Sequence, residues 1–198
     1  MEEVIESDIK KLNEERKKEV EELRRKYKGK IELFFSAEVD ITAAAEVELP
    51  DDLMALFDYT TASIHSSFNQ PKERMTERLI TALKNPYVHA IGHPTGRLLG
   101  KREAYEVDWD KVFTVAAKEG KFMEINAFPT RLDLPDTLVR EAKRYGVKFV
   151  INTDAHQLVH LDNMRFGVSV AQRGWCEKSD IINTLDADGF AKALKMRG

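Results

Sequence analysis

The chain has 198 residues, 42% of them hydrophobic and 33% charged, the balance of one globular domain with a sizeable core. A net charge of −3 excludes an overall basic field for nucleic acid, though not a local basic cleft, and no apolar run approaches the roughly 18–20 residues of a membrane span. Cys176, the sole cysteine, excludes an internal disulfide; with a charged N-terminus unlike a signal peptide, this makes a reducing, cytoplasmic location the expectation.

In chain order, Val4, Ile5, Ile9, Leu12, Val20, Leu23 and Tyr27 recur at helical spacing among Glu, Lys and Arg, which predicts a long amphipathic helix closed by Gly29. Residues 31–39 read as a strand and 49–57 as a short helix with Pro50 near its start. A strand over 58–65, a helix over 71–85 and a strand over 87–93 follow. Residues 108–121 form the next helix, closed by Gly120, and 122–127 the next strand. Helix 135–146 then leads into strand 147–154. Helices are expected over 161–174 and 186–196, with a shorter one over 178–185. Five strands alternating with helices predict an α/β fold with parallel strands, either a doubly wound sheet or a barrel. No repeat or linker divides the chain, so residues 1–198 read as one domain.

In parallel α/β folds the chemistry gathers at the C-terminal edge of the sheet. Here the strands end in Glu38-Val39-Asp40, Ile64-His65, Gly92-His93, Glu124-Ile125-Asn126 and Asp154-Ala155-His156. A lone histidine or glutamate at such a place is more often a hydrogen-bonded structural residue than a ligand. Three of the five histidines share this position, however, and Asp154 and His156 point the same way from one strand. His89, within a strand, and His160 read as structural, although the four-residue spacing of His156 and His160 also suits a pair on a helix. Imidazole and carboxylate together suit Zn²⁺, Mn²⁺ or Fe²⁺. Such ions activate water and clamp leaving oxygens, so the residues alone point to a metal-dependent hydrolase, with a phosphoester as the favoured substrate.

The segments AEVDI (37–41), ASIHSSFNQ (62–70), MTERLITALKNPYV (75–88), GHPTGRLLGKRE (92–103), EINAFPTRLDLPD (124–136), INTDAH (151–156) and GVSVAQRGWCEKSDIINT (167–184) resemble the PHP (polymerase and histidinol phosphatase) family. They are most similar to the PHP domain of bacterial family X DNA polymerases. The resemblance implies a distorted TIM-like barrel of seven βα units holding up to three metal ions, often manganese or zinc. It also implies 3′–5′ exonuclease and related phosphoesterase activity on DNA ends. By position, Glu38 would be the bridging carboxylate, His65 and His93 would complete the second metal site, Asp154 would serve the first and His156 the third. Arg97 and Arg131 would contact phosphate, or else only solubilise the surface.

The chain departs from this family at its start. It contains no His-x-His, its first histidine is His65, and it has five predicted strands rather than seven. It therefore resembles an incomplete PHP barrel lacking the first two βα units, with residues 1–29 as a leading helix. Only Glu38, His65 and His93 make a nearly complete ligand set, so fewer than three ions, Mn²⁺ or Zn²⁺, are expected. An open barrel would expose two sheet edges, which favours a homo-oligomer or a second polypeptide supplying the missing units. Three functions follow: a metal-dependent phosphoesterase acting at DNA 3′ ends, a catalytically impaired remnant serving as a scaffold or binding module, or a small-molecule phosphatase of the histidinol phosphate kind. No polymerase module is visible, so no nucleotide transfer is expected.

Overall fold

The computed structural model describes residues 2–195, with side chains described from residue 9 to residue 194. Its centre is a five-stranded, wholly parallel sheet in the order β1-β2-β3-β4-β5. The strands are β1 (Ser36–Asp40), β2 (Tyr59–Ser63), β3 (Ala90–Ile91), β4 (Phe122–Asn126) and β5 (Lys148–Asn152). The helices are α1 (Glu2–Lys26), α2 (Asp51–Met54), α3 (Lys72–Lys84), α4 (Trp109–Lys118), α5 (Asp136–Arg144), α6 (Met164–Arg173) and α7 (Ala187–Lys195). Spatial order follows chain order, as in a stretch of barrel wall. A doubly wound sheet would reverse direction at a switch point. This decides between the two windings that alternation alone allows.

Residue alternation along the strands separates two faces. Val39, Ile64, Ile91, Ile125 and Phe149 join the core that also buries Leu79 and Leu83 of α3, Val112 and Phe113 of α4 and Val139 of α5. The opposite face is apolar only at its lower end. There Tyr59, Ala90, Phe122 and Val150 pack with Ile182 and Leu194, and Phe34 and Phe190 lie against them. Helix α7 thus covers the N-terminal end of the inner face and leaves the C-terminal end to polar side chains.

Local chemistry sets the helix starts. Pro71 and Pro135 cap α3 and α5 in extended conformations, and the Asp108 carboxylate caps α4 by accepting from the Lys111 amide at 3.2 Å. Helix α1 is tied down by Lys10 to Asp52 at 2.9 Å and by Arg24 to Asp58.

The boundaries differ from expectation at several places. Strand β1 begins at Ser36 rather than residue 31, because its neighbour β2 begins only at Tyr59 and offers residues 31–34 no partner. Asp58 closes that corner, its carboxylate accepting from the Phe35 amide at 2.7 Å. Strand β3 is two residues long, since His93 turns to φ 27° directly after Gly92. The helix expected over 161–174 opens as a 3-10 turn, Leu158–Asn163, and the one over 178–185 is two 3-10 turns, Lys178–Asp180 and Ile182–Thr184.

Two exposed sheet edges were also expected. The β5 edge is covered. Ile181 bridges Phe149, and the Asn183 amide group pairs with Ile151 as a strand would, accepting from its N–H at 2.7 Å and donating to its carbonyl at 2.9 Å.

Candidate metal centre

The first three parallel strands end on one edge. From β1 and the segments after β2 and β3, Glu38, His65 and His93 converge, with one ligand atom of each lying within 4.8 Å of the others. Glu38 Oε1 is 3.0 Å from His93 Nε2 and 3.5 Å from His65 Nε2. The two Nε2 atoms are 3.2 Å apart. Two nitrogens that each lie about 2.0–2.1 Å from a tetrahedral zinc ion are roughly 3.3–3.4 Å apart, so this spacing is that of a ligand edge. Among the described residues no other group of three such side chains meets this spacing.

Neighbouring groups aim the ligands. Asp40 pairs with His65 Nδ1, which leaves Nε2 directed at Glu38. The Ser63 hydroxyl donates to Glu38 Oε1 at 2.6 Å. Gly92 makes room for both, since a Cβ there would stand 2.3 Å from Ser63 Oγ and 3.4 Å from Glu38 Oε1. Burial opposes ionisation of Glu38, but hydrogen bonds with His65, His93 and Ser63 outweigh it and hold the carboxyl far below its usual range. The Glu38 hydrogen bond raises His65 to about 9 against the effect of burial, with Asp40 adding to it. The field that retains a proton between these groups also attracts a cation.

The same edge carries Glu124, a buried carboxylate that accepts from the His93 backbone N–H, from Asn152 Nδ2 at 2.7 Å and from Asn126 Nδ2 at 3.3 Å. Burial pushes it up to about 6 despite those donors. It holds the His93 backbone in its positive-φ conformation, which costs a non-glycine residue of order 1 kcal/mol or more. A cavity of about 310 Å³ on the inner face is lined by Glu38, Thr61, Glu124, Asn126, Asn152 and Asp154, among others.

The other expected residues lie outside the triad. Asp154, also at positive φ (53°), accepts from Asn126 Nδ2 at 3.2 Å and lies 3.4 Å from Arg131 Nε. The His156 side chain is 76% exposed, with Nδ1 2.8 Å from the Asp154 carbonyl. His160 Nδ1 accepts from the His156 amide at 3.2 Å, which agrees with a structural role. Arg97 donates to the backbone carbonyls of Arg131 and Leu132. Arg131 keeps a buried Nη1 without a hydrogen-bond partner. Asp40 and Glu124 stood among the strand-end residues but were not assigned to the site, and Ser63 was not expected at all; for Glu124 the alternation with Met123 and Ile125 was a further signal.

Two predictions arise from this geometry. Carboxylates behind metal-ligating histidines typically contribute 10–100-fold in metal affinity, and Asp40→Asn is expected to lose about that much in a Mn²⁺ or Zn²⁺ titration. An unchanged affinity would deny Asp40 this role.

Asp133 supplies the second. Burial raises it from 3.8 to about 6, although it accepts from the Thr95 amide at 3.0 and 3.1 Å. A raised folded-state value means the native chain binds more protons than the unfolded chain between about pH 4 and about pH 6. Stability therefore falls there as pH rises, by about 1.4 kcal/mol per pH unit for this group. Asp133→Asn is expected to flatten that decline in urea unfolding. Parallel curves for variant and wild type would refute the assignment.

No family model matches the chain. It is 41% identical over 178 residues to the DNA polymerase/3′-5′ exonuclease PolX of Bacillus subtilis, a match covering 88% of this chain and 31% of PolX. It is 30% identical over 164 residues to a probable phosphatase of Thermoanaerobacter, covering 78% of this chain and 64% of that one. A probable phosphatase of Acetivibrio thermocellus is 35% identical over 117 residues, 56% of this chain and 46% of that one. The chain thus spans about a third of PolX and less than two thirds of these phosphatases. With five parallel strands and a Glu-His-His cluster at their C-terminal edge, the chain is a PHP-like domain related to PolX.

Proposed function

We propose that this chain is a metal-dependent phosphoesterase domain of the PolX type, acting on phosphoesters at DNA 3′ ends. The observation that carries the reading is the convergence of Glu38, His65 and His93 at ligand-edge spacing. Two imidazoles and one carboxylate leave a coordination position open, as catalytic zinc sites do, and suit Mn²⁺ equally. A bound ion would supply Lewis acidity toward a phosphoryl oxygen and toward water.

The chain's own residues do the rest. Asp40 and Ser63 orient His65 and Glu38. Glu124 holds the backbone of His93. Asp154 faces the same cavity as Glu38, where it is positioned to take part in a further ion site or to orient water. Arg131, 3.4 Å from Asp154 through Nε, is the arginine placed to meet a phosphate oxygen beside that carboxylate, whereas Arg97 braces the loop that carries Arg131. His156 reaches a substrate or a further ion only if its exposed ring turns inward.

The test is metal content after reconstitution with Mn²⁺ or Zn²⁺, followed by hydrolysis of a 3′-phosphorylated and a 3′-hydroxyl oligonucleotide by the loaded chain. About one ion per chain with phosphate or nucleotide release supports the reading. No bound ion would overturn it. One observation favours the impaired-remnant reading: Asp154 is engaged by Arg131 and Asn126, and His156 is turned outward. An ion without turnover on any phosphoester would select it. The probable phosphatases among the relatives keep a small-molecule substrate as the third reading, selected by turnover of sugar or amino-alcohol phosphates alone.

A further inference from the structure

Beside the candidate metal centre, the loop after β2 that carries His65 meets the loop after β3 that carries His93. Their contact is a stack of planar groups. Arg102 Cζ lies 3.7 Å from the centroid of the Phe68 ring, and Phe68 in turn stacks on Tyr105 at 6.3 Å between centroids and 21° between planes. The Tyr105 hydroxyl donates to the Pro94 carbonyl, next to His93. Gly96 permits the approach, since a Cβ there would stand 2.5 Å from Tyr105 and 3.3 Å from Phe68. Phe68 is three residues from His65, so its Cα lies within roughly 10 Å of that ligand's Cα, and Gly96, which meets the stack, is three residues from His93.

Arg102 is held rigidly. Its backbone closes a tight hairpin with Leu98 through two 2.8 Å hydrogen bonds, and its Nε donates to the Gly96 carbonyl at 2.7 Å. Both Nη atoms are left without a hydrogen-bond partner among the described residues. They form no ion pair among the described residues; farther off, Arg131 brings a like charge and Asp133 an opposite one. Arg102 also lines a shallow cavity of about 520 Å³ with Ser67, Phe68, Asn69 and Gln70. A fixed guanidinium fork with free Nη donors at the mouth of a cavity is the chemistry of phosphate recognition.

We propose that Arg102, braced on Phe68, is an anchor for the backbone phosphate of a nucleotide neighbouring the reacting phosphoester. This inference rests on the phosphoesterase reading. It deepens that reading by naming the residue that holds the oligonucleotide away from its reacting end.

The experiment is fluorescence anisotropy of the full chain with a labelled single-stranded oligothymidylate across a series of salt concentrations. One lost phosphate contact lowers the slope of log K against log salt by about 0.7 for a single strand. Arg102→Gln, which keeps a donor toward Gly96 but no charge, is expected to show that drop with an affinity loss of about tenfold. Arg102→Lys keeps the charge and is expected to restore most of the slope. Both variants are expected to bind Mn²⁺ with wild-type stoichiometry. A wild-type slope in Arg102→Gln, or no oligonucleotide binding by the wild type, would overturn the proposal. Hydrolysis of bis(p-nitrophenyl) phosphate by the Mn²⁺-loaded wild type separates the two readings. Hydrolysis without a slope change leaves the phosphoesterase and removes the subsite. A slope change without hydrolysis keeps the subsite and removes the phosphoesterase.

Discussion

Glu38→Ala is expected to abolish metal binding. The wild-type chain, reconstituted with Mn²⁺ or Zn²⁺, should hold about one ion, and the variant none, with any phosphoesterase activity lost by more than about 100-fold. Glu38 Oε1 is the atom both imidazoles face, at 3.0 and 3.5 Å. Without it the ligand set is two imidazoles and no carboxylate, which cannot offset the dehydration of a divalent ion in a partly buried place. Glu38→Gln is the companion variant, since it retains an acceptor for the Ser63 hydroxyl while removing the charge. Elemental analysis after gel filtration reads the stoichiometry, and circular dichroism confirms the fold. An ion retained at wild-type stoichiometry in both variants would place the metal elsewhere on this edge, with Asp154 and His156 as the residues to change next.

The second large effect is one of stability. Arg78→Met is expected to lower unfolding stability by about 3 kcal/mol, and the melting temperature by roughly 10 °C for a chain of this length. Arg78 is 0% exposed and donates to the carbonyls of Ser66, Ser67 and Ile41 and to Gln70 Oε1. It pins the start of the His65 loop to the end of β1. Two terms oppose each other. Burial of a guanidinium among uncharged acceptors is costly, as its lowered pKa shows, and methionine relieves that cost. Yet methionine leaves several buried acceptors without donors, each costing about 1–3 kcal/mol, and their sum is the larger. Urea unfolding measures the balance. A midpoint unchanged from wild type would mean that water replaces every lost donor. Because the loop carries His65, metal affinity should fall with stability in this variant.

Much of the arrangement was readable before any coordinates. Apolar residues alternating with helical stretches announced five parallel strands, and parallel winding places every strand's C-terminal end on one edge. That rule made Glu38, His65 and His93 candidates, and the structure brings those three together. Pro71, Pro135 and Asp108 marked helix starts by chemistry that acts within a few residues. Tertiary packing decided what local chemistry does not reach. The strand order that selects barrel-like winding depends on pairing between segments 23 to 32 residues apart. So do the late start of β1 at Ser36 and the cover that Asn183 lays over the β5 edge. The supports of the site were hidden for the same reason: Asp40 meets His65 across 25 positions, and Glu124 meets the His93 amide across 31. Periodicity tells which face a side chain occupies, because that follows from its own backbone. Which partner it finds there depends on how distant segments pack, and only the folded chain contains that information.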